Sequence, residues 1–213
     1  MKPIHNNTSK ILKCLAESDP VMSALIKQIG PIELQPRRLP PFQSITHAII
    51  HQQLSGQVAR VIFDRFVALF NKSDFPTPED IKNIDYETMR GVGLSRSKAT
   101  YIKGMAEIAL DGKVPSIEEC DQLSDAEIKD RLTKIKGVGS WTVEMLLIFN
   151  LGRPDVLPIH DLGMRKGFQI VYKKRKLPTP DQLERFGKKW KPYRTFATLY
   201  LWGAVNFINL NEW

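Results

Sequence analysis

The sequence predicts an all-α fold, and three features carry that reading. Apolar residues recur at i, i+3 and i+4 spacing through most of the chain. The alternating runs that mark half-buried strands are almost absent. Prolines and polar, glycine-containing turns separate one periodic segment from the next. At 213 residues the chain can bury a substantial core, in one domain or two small ones.

Residues 11–26 read as an amphipathic helix interrupted near Asp19-Pro20. The stretch LQPRRLPPF at 34–42 holds three prolines and predicts an extended connector. Helices are expected at 43–50 and 58–70, separated by the polar turn QQLSG. Pro76 and Pro78 introduce a short helix at 78–83; others begin at Tyr86 and Ser95, and one covers 124–133. The most apolar helix, 142–150, is expected to be buried on most sides. After Pro154 and Pro158 a helix starts near Asp161, followed by the basic connector KKRKLPTP and helices near 180–187 and 193–207. One echo is visible: GVG followed by a helix occurs at 91–93 and again at 137–139. The expected architecture is a single unit, 1–213, of two helical subdomains flanking a cleft. One subdomain spans about 44–134 and the other about 1–43 plus 135–213.

The formal net charge is +8, and residues 161–194 account for all of it with eleven Lys/Arg against Asp161, Asp181 and Glu184. Such a field suits a polyanion, although a solvated basic face looks the same. No apolar run approaches the length a membrane helix needs, and MKPIHNNTSKI lacks a signal-peptide core. A soluble, intracellular monomer without membrane contact is expected. Cys14 and Cys120 form no metal-ligand pattern and read as two buried, reduced thiols.

The densest information lies in LTKIKGVGSWTVEMLLIF at 132–149 together with VLPIHD at 156–161. Gly137-Val138-Gly139 between two apolar-periodic segments has the form of a helix–hairpin–helix. Glycines there let the backbone turn tightly and bring its N–H groups close to another surface. Those amides open the next helix, where an anion such as a DNA phosphate is favoured. Asp161, in LPxxD, is a candidate functional carboxylate at a helix start, where the dipole and nearby amides hold it ionised. Aspartate is also a preferred helix cap, and the two roles are compatible.

These residues resemble the helix–hairpin–helix DNA glycosylases, within them the monofunctional 3-methyladenine (alkylpurine) glycosylases of bacterial AlkA and fungal type. The resemblance extends to IIHQQLSGQVA, GLSRSKATYIKGMAE and WKPYRTFATLYLW, and so covers roughly residues 40–205. It implies base excision repair of alkylated double-stranded DNA, with Asp161 catalytic and the hairpin Gly137, Val138 and Gly139 on the phosphates. Gln53, Leu54, Ser55 and Gly56 match the turn that wedges into the base stack, or form a plain inter-helix turn. Lys173, Lys174 and Arg175 would add phosphate contacts; KKRK at 173–176 is equally similar to a nuclear-import signal. Trp141, Met145 and Trp202 match the base pocket, where rings stack on a cationic purine; as residues alone, both tryptophans read equally well as core. The backbone carbonyls of Thr133, Ile135 and Val138 match a monovalent-cation site, Na+ or K+, and no other cofactor is implied. Localisation would be nuclear in a eukaryote and cytoplasmic otherwise.

Four features bear on function. Trp141 stands where the bifunctional branch has a Schiff-base lysine, so strand-cutting amine chemistry has no nucleophile there. The two cysteines exclude the four-cysteine iron–sulfur loop of the endonuclease branch. Met145 occupies a place often aromatic, and Ser55-Gly56 adds little bulk to the wedge. A catalytically weak homologue that binds abasic or distorted DNA, and a duplex-binding scaffold without lesion recognition, stay open as alternatives.

Overall fold

The structure, a computed structural model, describes residues 8–71 and 74–205, and contains no strand among them. The chain divides into two compact units, 1–36 with 147–213 and 37–146. These boundaries differ from the expected 43/44 and 134/135. The hairpin belongs with 37–146 because the Gln52 side chain and Tyr101, from that same unit, hold it.

In the unit 37–146, α3 (Pro41–His51) and α4 (Gly56–Ala68) are joined by the turn at 52–55. Helix α3 starts inside the expected proline connector, since Pro41 at the first helical position needs no N–H partner. Then follow α5 (Pro78–Asn83), α6 (Tyr86–Gly91), α7 (Arg96–Leu110), α8 (Ile117–Gln122), α9 (Asp125–Leu132) and α10 (Ser140–Met145). Helices α5, α8 and α9 each open with a reciprocal capping box, Thr77 with Asp80, Ser116 with Glu119, and Ser124 with Glu127. Ile45, Ile49, Phe66, Ile81, Met89, Ile102 and Ile128 are fully buried in this unit's core. Lys98 Nζ donates to the carbonyls of Ile50 and Gln52 at 2.8 and 2.7 Å, closing the C-terminal end of α3.

The other unit contains α1 (Thr8–Ser18), α2 (Pro20–Ile29), α11 (Leu162–Val171), α12 (Pro180–Gly187) and α13 (Arg194–Ala204). A wider, π-helical turn at Leu146–Asn150 carries the chain into it from α10. The break between α1 and α2 falls at Asp19, whose Oδ1 caps α2 through the amides of Val21 and Met22. Asp19 is buried, and its Oδ2 also accepts from Tyr172 Oη at 2.5 Å, Trp190 Nε1 at 3.0 Å and Lys189 Nζ at 2.9 Å. Helices α11 and α13 touch backbone to backbone at Gly167, where a Cβ would lie 2.2 Å from the Leu201 carbonyl oxygen. Of the helix expected over 193–207, residues 206 and 207 lie outside those described. Cys120 is buried and Cys14 half-buried, neither in a disulfide. Among the described residues no helix is long and apolar enough to cross a membrane.

Candidate carboxylate site and nucleic-acid interface

Asp161, the candidate carboxylate of the sequence, is a helix cap in the structure. It N-caps α11 with extended backbone, its Oδ1 accepting from the Met164 amide at 2.6 Å. The same oxygen accepts from Trp202 Nε1 at 2.8 Å. Trp202, on α13, is 0 % exposed, and its ring lies parallel to Phe149 at 5.7 Å between centroids. The resemblance implies Trp202 as a wall for the base; here its edge orients Asp161 and its ring packs against Phe149. A residue this deeply buried offers no open stacking face. Phe149, half-buried, supports the ring that carries the Asp161 hydrogen bond, and sequence reasoning missed it because it looks like one more member of the apolar run MLLIF.

The loop that delivers Asp161 is fastened at its other end. Arg194 makes a forked pair with Asp155, Nε to Oδ1 at 2.7 Å and Nη2 to Oδ2 at 2.8 Å. Thr195 Oγ1 donates to the Arg153 carbonyl at 2.6 Å and accepts from the Val156 amide at 2.9 Å. Helix α13 therefore holds the 153–161 loop at both ends, through Arg194 and Thr195 at its start and Trp202 near its finish.

In the unit 37–146, the hairpin after α9 turns at Gly137, whose φ is +89° and whose missing Cβ would sit 2.2 Å from the Tyr101 ring. Gly139 differs: its backbone is extended, it is exposed, and a Cβ there would meet nothing within 4 Å. The fold requires glycine at 137 and makes no such demand at 139. Its echo is not a repeat of this turn, because in GVG at 91–93 the positive φ belongs to the second glycine, Gly93. Gln52 Nε2 donates to the Gly137 carbonyl and to Thr142 Oγ1, both at 2.9 Å. This strut joins the 52–55 turn to the hairpin, and sequence reasoning passed over it for its neighbour Gln53. In that turn Gln53, with φ +57°, Leu54 and Ser55 are exposed, while Gly56 begins α4. Leu54 is 38 % exposed.

Trp141 is half-buried on α10 and Met145 is buried. Glu144, between them and also buried, accepts from Ser140 Oγ at 3.1 Å and Lys129 Nζ at 3.3 Å, tying α10 to α9. Of the three hairpin carbonyls named for a cation, that of Ile135 already accepts the Val138 amide at 3.0 Å, and a carbonyl keeps a second lone pair for another partner. Lys173, Lys174 and Arg175 are exposed beyond the C-terminal end of α11, the end opposite Asp161.

Residues 46–192 match the HhH-GPD superfamily of base excision DNA repair proteins. DNA-3-methyladenine glycosylase 1 of Schizosaccharomyces pombe is 43% identical over 162 residues, covering 76% of this chain and 71% of that protein. The alkylbase DNA glycosidase-like protein mag2 of the same yeast is 37% identical over 192 residues, covering 89% and 90%. Among solved structures, the S. pombe 3-methyladenine DNA glycosylase Mag1 in complex with abasic DNA aligns with a TM-score of 0.85. That alignment has 39% identity and covers 91% of this chain and 95% of that one. The DNA-3-methyladenine glycosidase of Bacillus halodurans aligns with a TM-score of 0.78 at 32% identity, covering 97% and 96%.

Proposed function

This chain belongs to the HhH-GPD superfamily of base excision DNA repair proteins, and from that premise we propose that it hydrolyses the N-glycosidic bond of alkylated purines in double-stranded DNA without cutting the strand. The observation that carries the reading is the clamped carboxylate of Asp161, with two N–H donors on Oδ1. A purine alkylated on a ring nitrogen is already cationic and leaves without a dedicated general acid. The demand that remains is stabilisation of the positive charge growing at C1′, and a carboxylate with a fixed direction meets it. Water then completes the hydrolysis. No amine stands at 141 to form a Schiff base, so the product is an intact strand with an abasic site.

Binding is assigned to the hairpin of Gly137, Val138 and Gly139, where exposed backbone at Gly139 admits a phosphate closely, and to Gln53, Leu54, Ser55 and Gly56 as the wedge turn. Trp141, half-buried on α10, is the aromatic residue assigned to the flipped base. A monovalent cation would be held by the carbonyls of Thr133, Ile135 and Val138 and would lend positive charge to the phosphate contact. The place of work is wherever the cell keeps its chromosome, the nucleus in a eukaryote.

The test is single-turnover incubation with duplexes carrying 7-methylguanine, ethenoadenine or a stable abasic analogue, scoring excision and binding separately. Release of an alkylated base is expected, with strand breaks only after alkali. Asp161→Asn should lower release about a hundredfold or more while abasic-site affinity stays within about a fewfold. A wild type that releases no alkylated base yet prefers abasic over intact duplex would make this a lesion-binding homologue instead.

A further inference from the structure

A second ligand surface lies in the unit that holds Asp161. A groove of about 690 Å³ is formed by the loop following α11 and by α12, and its floor includes Phe168, Pro178 and Phe186. Lys174, Arg175, Lys176 and Arg185 line it as well, all four exposed. The loop has a fixed shape. Lys173 takes a left-handed φ of +50°, its amide donating to the Ile170 carbonyl at 3.1 Å and that of Lys174 to Gln169 at 2.8 Å. Arg165 Nε holds the Pro178 carbonyl at 2.9 Å, and Thr179 with Gln182 caps α12.

Three observations describe the occupant. None of the four cations makes an ion pair among the described residues, whereas neighbouring Lys189 is committed to Asp19. The groove therefore presents uncompensated positive charge around an apolar floor. The rings of that floor are already engaged, Phe168 stacked on Tyr172 at 4.5 Å and Phe186 covered by Lys189 Nζ at 3.9 Å. The apolar part of the lining is Phe168, Leu177, Pro178 and Phe186, a hollow of aliphatic and aromatic carbon inside the ring of cations. A duplex backbone supplies charge but nothing to fill such a hollow, and the groove stands a full helix length, about 15 Å at 1.5 Å per residue, from Asp161.

We propose that this groove docks an acidic peptide segment of a partner protein, one aliphatic side chain entering the floor and flanking carboxylates meeting Lys174, Arg175, Lys176 and Arg185. Arginine and lysine around an apolar seat give such a contact both its steering and its register. The assignment is independent of the glycosylase reading.

The experiment is fluorescence polarisation on the full chain with a labelled peptide carrying one leucine flanked by glutamates, its leucine-to-serine counterpart, and an abasic duplex. The leucine peptide should bind saturably and the serine peptide about tenfold more weakly, the worth of one buried leucine. Lys176→Glu with Arg185→Glu should weaken the leucine peptide at least about tenfold, with an unchanged thermal melt and duplex affinity within about twofold. Gly139→Ala should leave peptide binding as in the wild type. No saturable peptide binding, or equal binding of both peptides, overturns the proposal. A parallel loss of duplex affinity in the double variant overturns it in favour of a nucleic-acid surface.

Discussion

Trp202 holds Asp161 by one hydrogen bond, Nε1 to Oδ1 at 2.8 Å, while its ring lies parallel to Phe149. A carboxylate capping a helix can swing between rotamers; one oxygen claimed by both the Met164 amide and an indole cannot turn without losing both. In the proposed reaction that rigidity is useful, because charge stabilisation depends on a group that need not reorganise as the bond breaks.

Trp202→Phe should therefore lower the single-turnover excision rate about tenfold or more, since hydrogen bonds to charged groups are the stronger class. The half-saturating DNA concentration should move little. A variant with normal rate but weakened lesion binding would place Trp202 against the base rather than behind the carboxylate.

The two hairpin glycines should separate under alanine substitution. At Gly137 the methyl meets Tyr101 and the backbone has a φ of +89°, so Gly137→Ala should cost about 2–5 kcal/mol in urea unfolding. Gly139→Ala should leave stability within about 0.5 kcal/mol. Its effect should appear in duplex affinity, which should fall at least about tenfold as the methyl keeps a phosphate from the backbone. Unchanged affinity in folded Gly139→Ala protein would remove the hairpin from the interface.

Acid should destabilise the fold in two stages. Burial, His51 and Arg37 hold the His47 imidazole down at about 3. An unfolded histidine titrates near about 6.5. Between those values the unfolded chain takes up a proton that the folded chain does not. Stability is thus lost as pH falls through that window, by up to about 1.4 kcal/mol per pH unit. Urea midpoints measured from pH 7 to pH 4 should decline in the wild type and flatten in His47→Phe.

The second stage belongs to Asp19. Burial pushes its carboxyl up, yet the hydrogen bonds from Tyr172, Lys189, Trp190 and the Met22 amide outweigh burial and leave it below the usual value. Its contribution is present above about pH 4 and disappears as pH falls through the depressed folded value. Asp19→Asn, which leaves Lys189 without its counter-charge, should cost about 2–4 kcal/mol at pH 7. An equal melt for wild type and Asp19→Asn at neutral pH would show that the cluster carries no net stability.

Much of the fold was legible because its punctuation is local. Pro78 and Pro180 open their helices where the prolines predict, and Asp19-Pro20 divides α1 from α2. Helix α8 was missed although Ser116 and Glu119 spell its capping box, since six residues carry too little periodicity to stand out. The π-helical turn at Leu146–Asn150 was hidden for the opposite reason, in a run so apolar that no period shows. At the site, Asp161 was legible because LPxxD is a short motif. Phe149, Gln52 and the Asp155–Arg194 pair were not, because contacts between residues distant in sequence leave no trace in spacing.

Gly167 gives the close approach of α11 and α13 a meaning beyond packing. A helix pair that meets backbone to backbone has no compressible layer of side chains between its axes, and so works as a gauge block with a single setting. Asp161 caps one of these helices and Trp202 rides on the other, so the distance across which the indole must reach is machined at a position that never touches the carboxylate. A single methyl at 167 would widen that setting, and the hydrogen bond from Trp202 to Asp161 would lengthen with it.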